Sequence, residues 1–193
     1  MKNNRSGQAA TLSNTEYSKI RREIKSEKYR ILLALGWYTG ERWGALLQLK
    51  IEDVYDAQDE PYNTITFRSE TRKKDKNGNS ETRQVPTHDV LLEQLRNYKP
   101  DRTSVWLFPG RDFSEPICWR SAYNILCVAV ENAGLVNKGI STHSTRRSFI
   151  TNLHNNGVSI ATIQKLTGHK DIKSLNKYIE IDSEQIKGAI ATL

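Results

Sequence analysis

Three short helices are predicted in the C-terminal part of the chain from the spacing of its apolar positions. The first spans about 144–155 and ends at Asn156 and Gly157, a pair typical of a left-handed cap. The second begins after Ser159, a residue type that caps helix N-termini, and the third begins after Asp171. Their apolar stripes are Phe149, Ile150 and Leu153; Ile160, Ile163 and Leu166; and Ile172, Leu175 and Ile179. This part of the chain is therefore predicted to be helical.

One arginine interrupts the apolar face of the first of these helices. By helical spacing Arg146 lies on the inward face, and His143 lies one turn earlier at its edge. A guanidinium aimed at a core is costly unless an anion meets it. An internal ion pair would meet that need, but the nearby His143, His169 and Tyr178 favour an external anion such as a phosphate.

Earlier in the chain, helices alternate with one predicted β-hairpin. The hairpin has strands at 63–68 and 81–85 on either side of Asn77 and Gly78, a pair typical of two-residue turns. Helices are predicted from Asn14, over 29–38, 42–49, 88–98 and 117–135, and again over 182–193. The fold class is thus mainly α with a small antiparallel β-sheet (α+β), in one domain, 13–193, after a flexible lead-in, 1–12.

A second arginine follows an apolar stripe in the same way. Arg42, Leu46 and Leu49 share one face of the predicted helix 42–49, where first-turn N–H groups also favour anions. The alternative is a buried ion pair with Glu41 or Asp53. The chain therefore offers two arginines that point along apolar faces.

Composition adds a basic character without deciding function. The 193 residues carry a formal charge of +7, with a sequence pI near 9.4, which suits a polyanionic partner.

Cys118 and Cys127 fall among apolar residues of one predicted helix and are expected to be buried thiols. The sequence predicts neither a membrane span nor a secretory signal, so a cytoplasmic protein is expected.

Three short motifs in the C-terminal part resemble the signature of the tyrosine recombinases, also called phage integrases. His143 and Arg146 fill the H-x-x-R motif, and Gly168 and His169 fill the G-[HW] pair. Tyr178 follows His169 by nine residues, the place of the nucleophilic tyrosine in that family. The resemblance implies the fold of a tyrosine-recombinase catalytic domain.

A fourth motif extends the resemblance to the region around Arg42. The family pattern is T-G-x-R-x-x-E-x-x-x-L-x-x-x-D. The positions that match it are Thr39, Gly40, Arg42, Leu49 and Asp53. Ala45 departs from it, because the family usually has an acidic residue there that helps to hold the arginine. Another acid is then needed to orient Arg42.

The resemblance implies a role for each of these residues in cleaving a DNA strand. Arg42 and Arg146 would hold the nonbridging oxygens of a phosphodiester, and Tyr178 would be the covalent nucleophile. His143 would accept the tyrosine proton, and His169 would hydrogen-bond a phosphate oxygen.

The family also places a catalytic lysine on a hairpin, where it protonates the departing 5′ oxygen. Lys73, Lys74 and Lys76 are the candidates here. Lys74 is preferred because it shares a pleat face with Arg72 and Lys76. The alternative is a solvated basic hairpin without a chemical role.

The function that the resemblance implies is site-specific DNA recombination through a 3′-phosphotyrosyl intermediate, without a metal or cofactor. The expected partners are double-stranded DNA and further copies of the chain, in a tetramer on paired sites, with no membrane. The resemblance covers only the catalytic half of a usual family member, so the N-terminal core-binding domain of the family is expected to lie outside this sequence or to come from a separate partner. Two positions are expected for the segment 182–193: it packs on its own domain, or it docks onto a neighbouring protomer, as the C-terminal segment does in the family. Competing functions are a DNA-binding module that has lost catalysis and strand cleavage like that of type IB topoisomerases.

Overall fold

The computed structural model describes residues 8–72, 74, 78–169, 172–176 and 178. Its helices are α1 (Asn14–Glu23), α2 (Glu27–Thr39), α3 (Trp43–Leu46), α4 (Asp89–Asn97), α5 (Trp119–Asn132), α6 (Thr142–Asn155), α7 (Ile160–Thr167) and α8 (Ile172–Asn176), and its strands are β1 (Thr64–Phe67) and β2 (Arg83–Pro86). The predicted fold class, mostly helical with a small antiparallel sheet, is confirmed. Two compact units are present, Met1–Phe149 and Ile150–Leu193. No helix within the described residues is long and apolar enough to cross a bilayer.

Helix α2 is the centre of the first unit. It is apolar on nearly every side and buried from Ile31 to Trp37, as the sequence predicted. It packs against α3 and α4, while α1 packs against α5. Core residues from other elements include Ile20, Leu46, Tyr55, Ile65, Leu91, Leu107, Phe108 and Leu126.

The two strands pair antiparallel, with Ile65 opposite Val85 and Phe67 opposite Arg83. The described pairing stops at Phe67 and Arg83, so the strands do not reach the predicted two-residue turn, whose Asn77 lies outside the described residues. A long connection, 68–82, joins them. Arg83 shares the buried face of the sheet with Val85, and its guanidinium lies over the Phe67 ring, 5.7 Å from the centroid.

Part of the predicted lead-in is attached to the first unit. The Ala10 N–H donates to the Gly139 carbonyl at 3.1 Å, and the Leu12 N–H donates to Ser148 Oγ at 2.7 Å. Ala10 and Leu12 are buried. Ala10 and Leu12 are thus held by hydrogen bonds of their backbone N–H groups, and residues 1–7 lie outside the described part of the chain.

Two expectations for the helices of this unit were wrong. The sequence predicts an inward stripe of Tyr123, Cys127 and Val130 on the helix 117–135. Helix α5 instead buries Ala122, Leu126, Ala129 and Val130, so only Val130 of the predicted stripe is buried. Both cysteines are consequently exposed, Cys118 as the N-cap residue of the helix and Cys127 on its outer side. The helix predicted over 42–49 is also shorter, because α3 ends at Leu46.

The second unit contains the end of α6 and the helices α7 and α8. Ser159 caps α7 by accepting from the Thr162 N–H at 3.1 Å, and Gly168 ends it in the left-handed conformation, as predicted. Leu175 of α8 is buried, but Ile172 is 46% exposed, contrary to the prediction, because it is the first residue of a very short helix. Ile179 and the predicted helix 182–193 lie outside the described residues.

Candidate active site

A turn between α2 and α3 places the first arginine. Gly40 adopts a left-handed conformation with φ of 61°, and a Cβ atom there would lie 2.3 Å from the Phe149 ring. Only glycine fits both the backbone conformation and this close approach to α6. Arg42 follows as the N-cap residue of α3, with a half-buried side chain that lines an open cleft.

We call this space beside α3 the arginine cleft. It has a volume of about 450 Å³. Its lining includes Arg42, Gln48, Arg72, Trp119, Thr142 and His143. The cleft therefore brings together Arg42 and His143, two residues that the sequence assigned to one site.

Glu41 is a buried acid that four arginine residues of the first unit contact. Its side chain is 1% exposed. Its carboxylate accepts a hydrogen bond from Arg83 Nη1 at 2.6 Å and lies 3.5 Å from Arg72 Nε and 3.6 Å from Arg146 Nη1. It also accepts the backbone N–H of Arg42 at 2.7 Å. One buried carboxylate thus contacts four arginine residues.

The charges in this cluster hold Glu41 ionised. Burial by itself raises the pKa of Glu41, but Arg83 and the other neighbouring arginines outweigh it and hold the pKa below its ordinary value of 4.5. Burial also lowers the pKa of Arg83, and the Glu41 carboxylate opposes that shift. Arg83 donates a further hydrogen bond to the Thr39 carbonyl at 2.9 Å, so its guanidinium is fixed within the fold.

Arg146 lies on the inward face of α6, as predicted, and is 1% exposed. Its Nη1 donates to the Gly40 carbonyl at 2.7 Å and lies 3.6 Å from a Glu41 oxygen. The internal ion pair considered for this residue is therefore present. It is a shared pair, since the same carboxylate bonds Arg83 more closely.

Arg42 differs from Arg146 in its partners. The structure records no hydrogen bond or ion pair of the Arg42 guanidinium with any described residue, and Glu41 accepts only its backbone N–H. Asp53, the other acid considered, pairs with Arg68 at 3.1 Å. Ala45, which stands where the family pattern has an acid, is buried and offers no charge. The Arg42 guanidinium is therefore available to an anion in the cleft.

The balance of charge around the cleft favours such an anion. Arg42, Arg72 and Arg83 lie near one buried carboxylate, that of Glu41, and Arg146 adds a fourth guanidinium to this group. Glu70, an exposed acid that also lines the cleft, pairs with Arg68 at 3.5 Å. Positive charge that is partly removed from water is stabilised by an anion that accepts charge-assisted hydrogen bonds.

His143 lines the same cleft from the first turn of α6. Its ring remains accessible to solvent. Partial burial, together with the positive charges of Arg42 and Arg146, lowers the pKa of His143 below its ordinary value of 6.5. A neutral imidazole at neutral pH can accept a proton, which is the role that the sequence assigned to it.

Of the three candidate lysines, only Lys74 is among the described residues, and it lies outside the lining of the cleft. Lys74 is exposed and does not line the arginine cleft, while Lys73 and Lys76 lie outside the described part of the chain. Arg72, from the same connection, does line it, and its Nη1 also donates to the Glu81 carbonyl at 2.6 Å.

The second unit brings His169 and Tyr178 together. Their ring centroids are 5.8 Å apart. His169 is 9% exposed, and its Nδ1 lies 2.6 Å from the hydroxyl of Thr167. The Tyr178 backbone is held at both ends, since its N–H donates to Leu175 and its carbonyl accepts from Thr151 at 3.2 Å. The histidine and the predicted nucleophile are thus neighbours in a fixed local geometry.

Sequence reasoning missed three residues of the first unit that shape the cleft. The sequence could have indicated Arg83, because it lies two residues before Val85 on the predicted strand, and residues two apart on a strand share one face. The sequence indicates Glu41 only as a possible partner of its neighbour Arg42, and it gives no prediction for Trp119. Within the described residues, no group of three or more His, Cys, Asp or Glu side chains is arranged to hold a metal ion.

The chain resembles known proteins over most of its length. The family model described as the phage integrase family matches residues 10–185. Tyrosine recombinase XerA of Pyrococcus furiosus is 28% identical, over 93% of this chain and 60% of its own length. The first curated relatives are covered over 48% to 61% of their length, so the chain spans about half of them or somewhat more.

Solved structures of this kind share the fold. The crystal structure of XerA recombinase superposes with a TM-score of 0.73 at 21% identity, covering 96% of this chain and 65% of that one. The catalytic domain of bacteriophage HP1 integrase superposes with a TM-score of 0.62 at 19% identity, and 95% of each chain is covered.

Proposed function

We propose that this chain, which belongs to the phage integrase family, is the catalytic part of a site-specific DNA recombinase. Residues 13–193 form that part in this proposal. The observation that carries it is the Arg42 guanidinium, which lines the arginine cleft beside His143 and has no hydrogen-bond or ion-pair partner recorded among the described residues. A DNA phosphodiester, with one charge and two nonbridging oxygens, is an anion that two arginines can bind.

The reaction follows from the chemistry of the named side chains. The Tyr178 hydroxyl oxygen attacks the phosphorus, and the bond from phosphorus to the 5′ oxygen breaks as a 3′-phosphotyrosyl link forms. Arg42 and Arg146 stabilise the charge that grows on the nonbridging oxygens. The tyrosine proton passes to His143, because a phenol with an ordinary pKa of about 10 must lose its proton as it attacks.

Two further groups complete the scheme. His169 donates a hydrogen bond to a phosphate oxygen, and Lys74 gives a proton to the departing 5′ oxygen, which leaves as a hydroxyl. Attack of another strand's 5′-hydroxyl on the phosphotyrosine reverses the chemistry and rejoins DNA. Recombination of two duplexes needs four such cleavages, which is why we expect four copies of the chain on paired sites.

The decisive test is a covalent bond between Tyr178 and DNA. The substrate is a pool of duplexes with a randomised centre, nicked so that a short 5′-hydroxyl piece is lost after cleavage. Loss of that piece prevents rejoining, so an adduct that survives denaturing gel electrophoresis should accumulate with or without chelator. Sequencing of the linked DNA then identifies the site.

The matched control is Tyr178→Phe, which removes only the hydroxyl and should form no adduct. An adduct with the phenylalanine variant would assign the nucleophile to another residue. If neither protein forms one, even when a core-binding domain of the family is supplied in trans, catalysis is excluded and a DNA-binding role remains. Relaxation of supercoiled plasmid without strand transfer between paired sites would favour a topoisomerase-like activity instead.

A further inference from the structure

An exposed aromatic pair stands at the edge of the arginine cleft. Trp119, the first residue of α5, lines the cleft and is 51% exposed. Its indole stacks on Tyr123, one turn further along the helix, with ring centroids 4.9 Å apart and planes inclined by 7°. The stack therefore covers one face of the indole, while about half of the Trp119 surface stays exposed.

This exposure sets Trp119 apart from the other tryptophans of the chain. Trp37 and Trp43 are buried at 8% and 3%, and Trp106 is half-buried with its indole N–H bonded to the Ser114 carbonyl at 2.9 Å. Burial of a large aromatic ring is favourable, so an open indole gives up stability that its position could supply. A ligand that covers the ring on binding would recover it.

The surroundings identify the chemistry of that ligand. The cleft that Trp119 lines also holds the available guanidinium of Arg42 and the positive charge of Arg72. An anionic group joined to a flat aromatic ring matches both features, and a nucleotide has both. The near-parallel Trp119–Tyr123 stack is the kind of surface on which a base adds a further layer.

The state of the DNA follows from which ring faces are accessible. In a paired duplex both faces of each base are covered by its neighbours, so a side chain can stack only on a base that has left the helix. Strand exchange creates such bases next to the cleaved phosphate, because the strand must leave its old complement before it pairs with the new one.

We propose that Trp119 is a base-stacking platform that receives an unpaired base adjacent to the phosphate bound by Arg42. This proposal rests on the proposed function, because strand exchange is what supplies the unpaired base. Tyr123 acts as a positioning residue that holds the indole plane. The platform would stabilise the separated strand while the phosphotyrosyl link is intact.

The test compares binding to two duplexes of the same sequence, one fully paired and one with a short unpaired bubble. The wild type should bind the bubble more tightly. Trp119→Ala should weaken bubble binding by roughly tenfold, in the range found when a stacking aromatic is removed, and leave paired binding unchanged. Trp119→Phe should keep part of the preference. Val128→Ala, an exposed apolar residue on the opposite face of α5, should change neither.

Fluorescence gives a second measurement that needs no cleavage. Stacking of a base on Trp119 should quench the tryptophan emission when the bubble binds, and the quenching should be lost in Trp119→Phe. Equal affinity of the wild type for both duplexes, or equal weakening of both by Trp119→Ala, would overturn the platform. A bubble preference without any covalent adduct would leave the platform standing and reject the proposed catalysis.

Discussion

Glu41 and Arg42 are adjacent in the chain, yet Glu41 lies in a buried cluster of charges and Arg42 lines the open arginine cleft. Glu41 points into the first unit and is bonded on both carboxylate oxygens by arginines and a backbone N–H. The Arg42 side chain turns to the open cleft, and no described residue is recorded as its ion-pair partner. A buried carboxylate whose two oxygens are both bonded supports the fold, whereas a cation without a recorded partner beside a cleft is suited to a ligand.

The comparison predicts that charge removal has different consequences in the two regions. Removing the carboxylate should damage stability, because it leaves buried guanidiniums uncompensated. Removing the Arg42 guanidinium should damage activity, because it removes a contact that only the substrate completes. Four predictions follow, from the largest expected effect to the smallest.

Glu41→Gln should lower the free energy of unfolding at pH 7 by about 3–5 kcal/mol, the loss typical when one partner of a buried ion pair is removed. Chemical denaturation measures it. Glu70→Gln is the matched control at the surface and should leave stability unchanged. Because the folded pKa of Glu41 lies below 4.5, its contribution is present above pH 4.5 and is lost as the pH falls further, so the two proteins should converge in acid.

Wild-type and Glu41→Gln proteins that unfold at the same denaturant concentration at pH 7 would show that the arginine cluster does not depend on this carboxylate.

Arg42→Ala should reduce the rate of adduct formation by about 100- to 1000-fold, which corresponds to about 2.7–4 kcal/mol of transition-state stabilisation. The unfolding midpoint should not change, since no described residue is recorded as a partner of that guanidinium. Arg111→Ala, which removes an exposed arginine remote in sequence from the motifs, is the control for net charge. Unfolding of the Arg42 variant would reassign this arginine to a structural role.

Gly40→Ala should destabilise the first unit by about 2 kcal/mol. A Cβ atom would strain the left-handed backbone and would meet the Phe149 ring at 2.3 Å, so a ring or a helix has to shift. Gly44→Ala is the matched control, because its Cβ would meet nothing within 4 Å. Thermal unfolding compares the two. Equal stability of both variants would contradict the close approach of α2 and α6.

His143 should titrate below pH 6.5 in an NMR titration of its ring protons, because partial burial and the nearby arginines disfavour its charged form. Arg42→Gln should raise the pKa back towards 6.5, while Arg111→Gln should not change it. Since the folded pKa is the lower one, stability should fall as the pH drops through 6.5. An unshifted titration would separate His143 from the cleft charges.

The sequence predicted the elements whose signals are local. Ser159 and Gly168 mark the ends of α7, and both are cap residues in the structure. The inward position of Arg146 also followed from helical spacing alone. These predictions succeeded because capping and amphipathic spacing depend on residues within one or two turns of each other.

The prediction of the buried face failed on α5, where apolar residues lie on more than one side of the helix. On α5 the stripe through Leu126 competes with one through Tyr123 and Cys127, and only packing against α1 selects between them. The same choice turned the Trp119–Tyr123 stack outward, to the edge of the cleft.

The sequence by itself determined the family motifs, the two arginines on apolar faces and the tyrosine that follows His169. The tertiary structure alone decided which carboxylate compensates the arginines. Glu41 contacts Arg83 and Arg146, which lie 42 and 105 residues later in the chain. Ala45, which stands where the family pattern has an acid, does not indicate which other acid compensates the arginines. An ion pair acts over a few ångströms in space and has no fixed spacing in sequence, so its members are known only when the fold brings them together.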